Sequence, residues 1–216
     1  MTDELELLKK DWQKKEFNVP KLSYDEIHKM IWKKSSSIVK WILIISILEF
    51  TVPQLLYFVP SFRDGMEIYE NIGIAKYLKV LSGLTYLVAF YFIFQFYKRF
   101  KEISVLDNSK NLMKKIIKTR KTVKHYVIFS LSMIMVTIIV MIIGVYLNDN
   151  IISAFPELKD SLENISAEKL KITIMLSIGI FGVILTLAVG GIYFLLYGLL
   201  LRKLKNNYSE LKHLAV

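Results

Sequence analysis

The sequence predicts an all-α, polytopic membrane protein with four transmembrane helices and short cytosolic amphipathic helices. Three observations predict it. Apolar residues make up 54% of the 216, and they gather in four blocks near or above 18 residues long, enough for a helix to cross a hydrocarbon core of about 30 Å. Charged residues fall almost entirely in the connectors between the blocks. Cysteine is absent, so there are no disulfides, thiolate nucleophiles or sulfur-ligated metals. Soluble Rossmann or barrel domains, secreted disulfide scaffolds and nucleic-acid enzymes are excluded.

Residues 1–37 form a cytosolic amphipathic segment. Leu5, Leu8 and Trp12 recur at helical spacing in a charged stretch that Pro20 ends. Ser23 then begins a second helix as its N-cap, Glu26 closes a capping box, and Leu22 and Ile27 form the hydrophobic staple. Ile27, Met30, Ile31 and Lys34 follow one stripe. That helix either lies on the membrane or runs into the first span; its apolar face either meets lipid or docks a cytosolic partner. The segment is polar, so no cleavable leader is expected.

The membrane domain covers 38–201, with spans at about 38–59, 78–97, 126–147 and 172–201. The first contains Lys40 near its start and Glu49 near its middle, whereas the third has no charge. The fourth has 30 uncharged residues, about 45 Å of helix, so it must tilt, kink or protrude. Trp32, Trp41, Tyr57, Phe58, Tyr77, Tyr97, Tyr126 and Tyr146 lie at span ends, where amphipathic rings favour the headgroup level. An even number of spans puts both termini on one side. With the connector 98–124 and the tail 202–216, that side carries 23 of the 29 Lys and Arg residues. The positive-inside tendency makes it the cytosolic face of the cell inner membrane.

In the connector, Leu112, Met113, Ile116 and Ile117 make an apolar stripe among Lys110, Lys114, Lys115, Lys118, Arg120, Lys121 and Lys124. This predicts a basic amphipathic helix entering the third span, capped by Asp107 or Ser109. Lys114, Lys115, Lys118 and Lys121 are expected to contact anionic headgroups of the bilayer. No helix-turn-helix, zinc spacing or aromatic platform accompanies them, so no nucleic acid is expected as a partner. The acids of the outer loops, 61–76 and 148–171, lack the ligand alternation of a calcium loop and read as solvated.

Glu49 is the one ionisable residue deep in an apolar block, and counting places it at the bilayer midplane. Ser46, Glu49, Pro53 and Tyr57 share a helix face, and Pro53 frees the carbonyl of Glu49. Thr85, Tyr86, Thr137 and Thr186 are partners by depth. One reading makes Glu49 a protonated hydrogen-bonding link between helices; the other makes it a coupling or ion-contacting acid. Gly190, Gly191 and Gly198 suggest close helix contact or bending in the fourth span.

No catalytic motif, cofactor site or metal site is expected. The nucleotide loop, the serine-hydrolase elbow and the zinc-protease pair are absent, and His28, His125 and His213 are dispersed. The segments LELLKKDWQKK, PKLSYDEIHKMIWKKSSSIVKWILIISILEF and MKKIIKTRKTVKHYVIFS resemble a family of small multi-span proteins from Bacteroidota, particularly flavobacteria. The resemblance covers most of the chain and contains no motif of catalytic meaning. Some members carry the label beta-carotene monooxygenase, for whose iron this chain lacks ligands. The resemblance also implies, from members that lie near genes for extracytoplasmic-function sigma factors, a regulatory membrane adaptor. The expected function is a non-enzymatic adaptor or scaffolding subunit with a basic cytosolic surface, with Leu5, Leu8, Trp12, Ile27, Met30 and Ile31 facing a cytosolic or membrane protein partner. The alternative is a small transporter or channel subunit centred on Glu49, ahead of a membrane enzyme; oligomerisation is left open.

Overall fold

A computed structural model describes residues 6, 9–10, 23–56, 58, 67–104, 107–148, 151 and 166–214. Its long helices are α1 (Tyr24–Leu56), α2 (Ala75–Ser104), α3 (Ser109–Leu147) and α4 (Ala167–Tyr193). A π-helical segment, Phe194–Gly198, joins α4 without a break to α5 (Leu199–Leu214). Four helices are long and apolar enough to cross a membrane, and the described residues contain no strand. The protein is an all-α, multi-pass membrane protein.

Every helix outruns its apolar block. Lysine ends a hydrophobic run but is a good helix former, so a change of solvent need not end the helix. Residues 24–37 run straight into the first span. The connector is divided between the end of α2 and the start of α3, and the tail is helical to Leu214. Among the described residues, the expected helices at 23–37 and in the connector are extensions of the spans. The fourth span kinks at no proline; it protrudes, continuing through the π segment into α5.

Local signals explain the helix starts. Ser23 and Glu26 form the expected capping box: Ser23 N–H donates to Glu26 Oε2 at 2.8 Å, and Glu26 N–H to Ser23 Oγ at 3.3 Å. The N-cap of α3 is Asn108, whose side chain accepts from Asn111 N–H at 2.9 Å. This corrects the expectation of Asp107 or Ser109. Asp107 accepts from Lys115 Nζ at 3.0 Å instead, and the Ser109 hydroxyl lies 2.7 Å from that of Tyr24.

The basic extensions form a closed bundle. Buried positions recur at three- and four-residue steps: Ile31, Ser35, Val39, Ile42 and Ser46 on α1; Phe92, Phe96, Arg99 and Ile103 on α2; Ser109, Leu112, Ile116, Thr119, Val123 and Tyr126 on α3. Leu204, Asn207 and Leu211 continue the pattern on α5. Such 3–4 spacing is the seam of a left-handed bundle. Polar ties lock it: Trp32 Nε1 donates to the Ile103 carbonyl at 2.8 Å, and the buried Asn207 amide to Ser35 Oγ at 2.9 Å.

These contacts correct three expectations. Ile31 is 3% exposed and Ile27 packs against the same core, so both serve the bundle interior and not a partner surface; Met30 remains outside at 49%. Lys115 is no lipid contact, because its ammonium donates to the Glu102 carbonyl at 2.7 Å and to Asp107. Trp32 is held by its indole N–H inside the bundle and not at a membrane rim. Leu5, Leu8 and Trp12 lie outside the described residues, as do Leu22 and Tyr57.

The opposite end is open. There α1 packs on α2, α2 on α3 and α3 on α4, whereas α5 returns against α1 and α3 only at the basic end. Of the 27 residues of α4, Leu170 and Gly182 are the buried ones. At Gly182 the helices come close enough that a Cβ would meet Ile138 Cδ1 at 2.6 Å, a close approach of the small-residue kind. The approach thus falls at Gly182, ahead of Gly190, Gly191 and Gly198. A small cap closes the far end of α2 and α3: Gly73 turns with φ +85°, Ile74 packs on Gly144, and Asn148 Nδ2 donates to the Ile72 carbonyl at 3.1 Å.

Candidate functional site

The α1 seam does not stop at the last serine. One step beyond Ser46 it reaches Glu49, just as the α3 seam reaches Tyr126 after Val123. Tyr197, 1% exposed in the π segment, is the corresponding position seven residues before Leu204. The three side chains meet: Tyr126 donates its hydroxyl to Glu49 Oε2 at 2.6 Å and Tyr197 donates to the same oxygen at 3.1 Å. One carboxylate oxygen thereby ties α1 to α3 and to the fourth span. The other, Oε1, is buried without a hydrogen-bond partner. A π turn is a frequent companion of functional sites; here it holds the tyrosine that completes the clasp.

Aromatic packing surrounds the clasp. The Tyr126 ring lies 5.4 Å from each of Phe92 and Phe96, 5.9 Å from Tyr197 and 6.2 Å from Tyr193. Beside it a cleft of about 330 Å³ runs between α1, α2 and α3. Glu49, Tyr126, Tyr193 and Ser130 line it, together with Ser46, Pro53, Gln54, Thr85, Tyr86 and Thr137. Tyr86 donates to Gln54 Oε1 at 3.1 Å, a second polar link between α1 and α2.

Several expectations change here. Ser46, Glu49 and Pro53 do share the face that lines the cleft, but Ser46 Oγ is occupied by the Leu43 carbonyl at 2.8 Å. The expected partners of Glu49 are not its partners. The hydroxyls of Thr85, Thr137 and Thr186 each donate to the carbonyl four residues back, and Tyr86 goes to Gln54. Glu49 meets Tyr126, two residues after Lys124, and Tyr197, five before Arg202, so the clasp lies toward the basic end of the bundle. Tyr126 is 7% exposed and is a core residue, not a rim anchor. Its place on the 3–4 seam was the signal available in the sequence.

Of the remaining site residues, Lys114, Lys118 and Lys121 are exposed on α3, away from the clasp. No group of three or more His, Cys, Asp or Glu side chains among the described residues is arranged to hold a metal ion. No curated protein and no solved structure matches the chain. One family profile does, over residues 25–216, which takes in all but the first residue of the helices described above and the whole clasp: the chain belongs to the family described as Domain of unknown function (DUF8845).

Proposed function

We propose that the protein is a non-enzymatic adaptor of the cytoplasmic membrane, whose basic end forms a folded cytosolic platform for an acidic protein partner. The observation that carries this reading is the unbroken course of α3. Its uncharged part from Tyr126 to Leu147 is about 33 Å long at 1.5 Å per residue, which matches the hydrocarbon core. The remaining 17 residues, from Ser109 to His125, therefore stand out from the membrane. Exposed Lys114, Lys118 and Lys121 fall on one face of that projection.

Distance separates lipid from partner along this row. Lys121 lies about 8 Å along the axis from Tyr126, level with headgroups; Lys114 lies about 18 Å away, past the headgroup layer by more than a Debye length of about 8 Å. Lys121 is thus the anionic-lipid contact, and Lys114 and Lys118 face water. Across described residues 23–40, 98–104, 107–125 and 199–214, 18 Lys and Arg residues stand against five Asp and Glu, a field that selects acidic partners and speeds their encounter. The same excess supports a cytosolic orientation.

The test is a photo-crosslinking side chain at position 118 of the full chain in cells. A discrete protein adduct is expected, reduced severalfold by Lys114→Gln with Lys110→Gln, both exposed on the water-facing part of α3. Adducts to lipid alone, or a protein adduct insensitive to those changes, would overturn the reading.

A further inference from the structure

We propose that the cleft beside Glu49 is a binding site for a lipophilic amine, an apolar chain ending in a protonated amino group that enters from the bilayer. The charge inventory points to that head. Tyr126 and Tyr197 both lie within hydrogen-bond distance of Oε2, which leaves Oε1 buried without a partner. The carboxyl group thus keeps an oxygen without a partner, and no described cation answers it. The ion pairs among the described residues are Lys79–Glu70, Arg99–Glu102 and Lys115–Asp107, and no Lys, Arg or His lines the cleft. An uncompensated carboxylate in an apolar layer is costly. A cationic head removes that cost, and an anionic one adds to it.

Size and walls select the rest of the molecule. About 330 Å³ is at the small end of ligand sites; at about 30 Å³ per heavy atom, the share of a water in the liquid, it takes roughly ten such atoms. Tyr126 and Tyr193 line the cleft with Glu49, aromatic neighbours of the kind that an ammonium group favours, and Phe50, Ile93 and Met133 add apolar lining. Access is lateral, because α4 leans on α3 and contributes no lining residue except Tyr193.

The test uses the full chain in phosphatidylcholine nanodiscs with radiolabelled octylamine, empty nanodiscs correcting for partitioning. Saturable binding at one molecule per chain is expected, weakened at least tenfold by Glu49→Gln and by Ala89→Phe. The second variant fills the cleft without touching the carboxylate's hydrogen bonds, so it decides the matter if the first does not fold. Octanol and octanoate should compete at least tenfold less well than unlabelled octylamine. Absence of saturable binding in the wild type overturns the proposal, as does equal affinity in a folded variant or octanol competing as well as the amine.

Discussion

The two ends of this molecule are built from the same four helical rods and held together by different physics. At the basic end, water surrounds the bundle, so burying Ile103, Leu112, Ile116, Leu204 and Leu211, all at 0% exposure, is driven by the hydrophobic effect. Specific polar ties then fix the register. At the opposite end the surroundings are themselves apolar and burial gains little. There the helices spread, and α4 leaves Ile180, Phe181 and Leu187 more than 60% exposed. What holds that end is close contact at Gly182 and the cap around Gly73. Glu49, Tyr126 and Tyr197 sit where one regime gives way to the other, and they continue the aqueous seam into the apolar layer with polar groups.

The sharpest way to break this contrast is to remove the same kind of side chain from both ends. Ile116→Ala leaves a cavity in the closed bundle and should cost about 2–5 kcal/mol. Leu187→Ala, at a 70% exposed site, should change stability by less than about 0.5 kcal/mol. Thermal unfolding in a mild detergent measures both, and equal losses would refute the division into two regimes. A smaller effect is expected from Gly182→Val. Its Cβ meets Ile138, and forcing α4 from α3 should cost about 1–3 kcal/mol. Hydrogen exchange should report faster opening of α4 amides with α5 amides unchanged; parallel loosening of α5 would show that the two ends are coupled.

The smallest expected effect lies at the α2–α3 connection. The Lys115 ammonium, then the Asn111 side chain and the Asn108 backbone N–H, hold the Asp107 carboxyl below the usual carboxylate range. A group whose folded value is depressed stabilises fully above its unfolded value and loses that contribution as pH falls through the folded one. Amides at the start of α3 should therefore exchange faster below about pH 4, and Asp107→Asn should show that faster exchange already at neutral pH. A wild type indifferent to acid in this segment would exclude the ion pair as a brace.

The four spans were legible because hydropathy reports solvent directly, and the Ser23–Glu26 box was legible because capping is local. Helix length was harder to read. Lys98, Lys124 and Arg202 mark where the apolar layer ends, but none of them ends a helix. The site was half legible. Glu49 stands out as a charge in an apolar run, whereas its partners do not: a tyrosine two residues past a lysine has the same local signature whether its ring faces lipid or the core. Only the spacing of Leu112, Ile116, Thr119, Val123 and Tyr126, read through the charged stretch and not up to it, distinguishes the two. Likewise Ile27 and Ile31 form an apolar stripe whatever covers it, and a neighbouring helix of the same chain covers it here.

The α3 rod contains no proline, and glycine occurs in it only at position 144. Such a helix has no proline or glycine hinge between Tyr126 and Lys118. A turn of α3 about its own axis at Tyr126 is delivered whole to Lys118, two turns away. At a helix radius of about 5–6 Å, a rotation of roughly 20° sweeps the lysine side by about 2 Å, enough to spoil an ion-pair geometry. Rotation of this one shaft is therefore a quantity that the apolar layer and the aqueous face necessarily share.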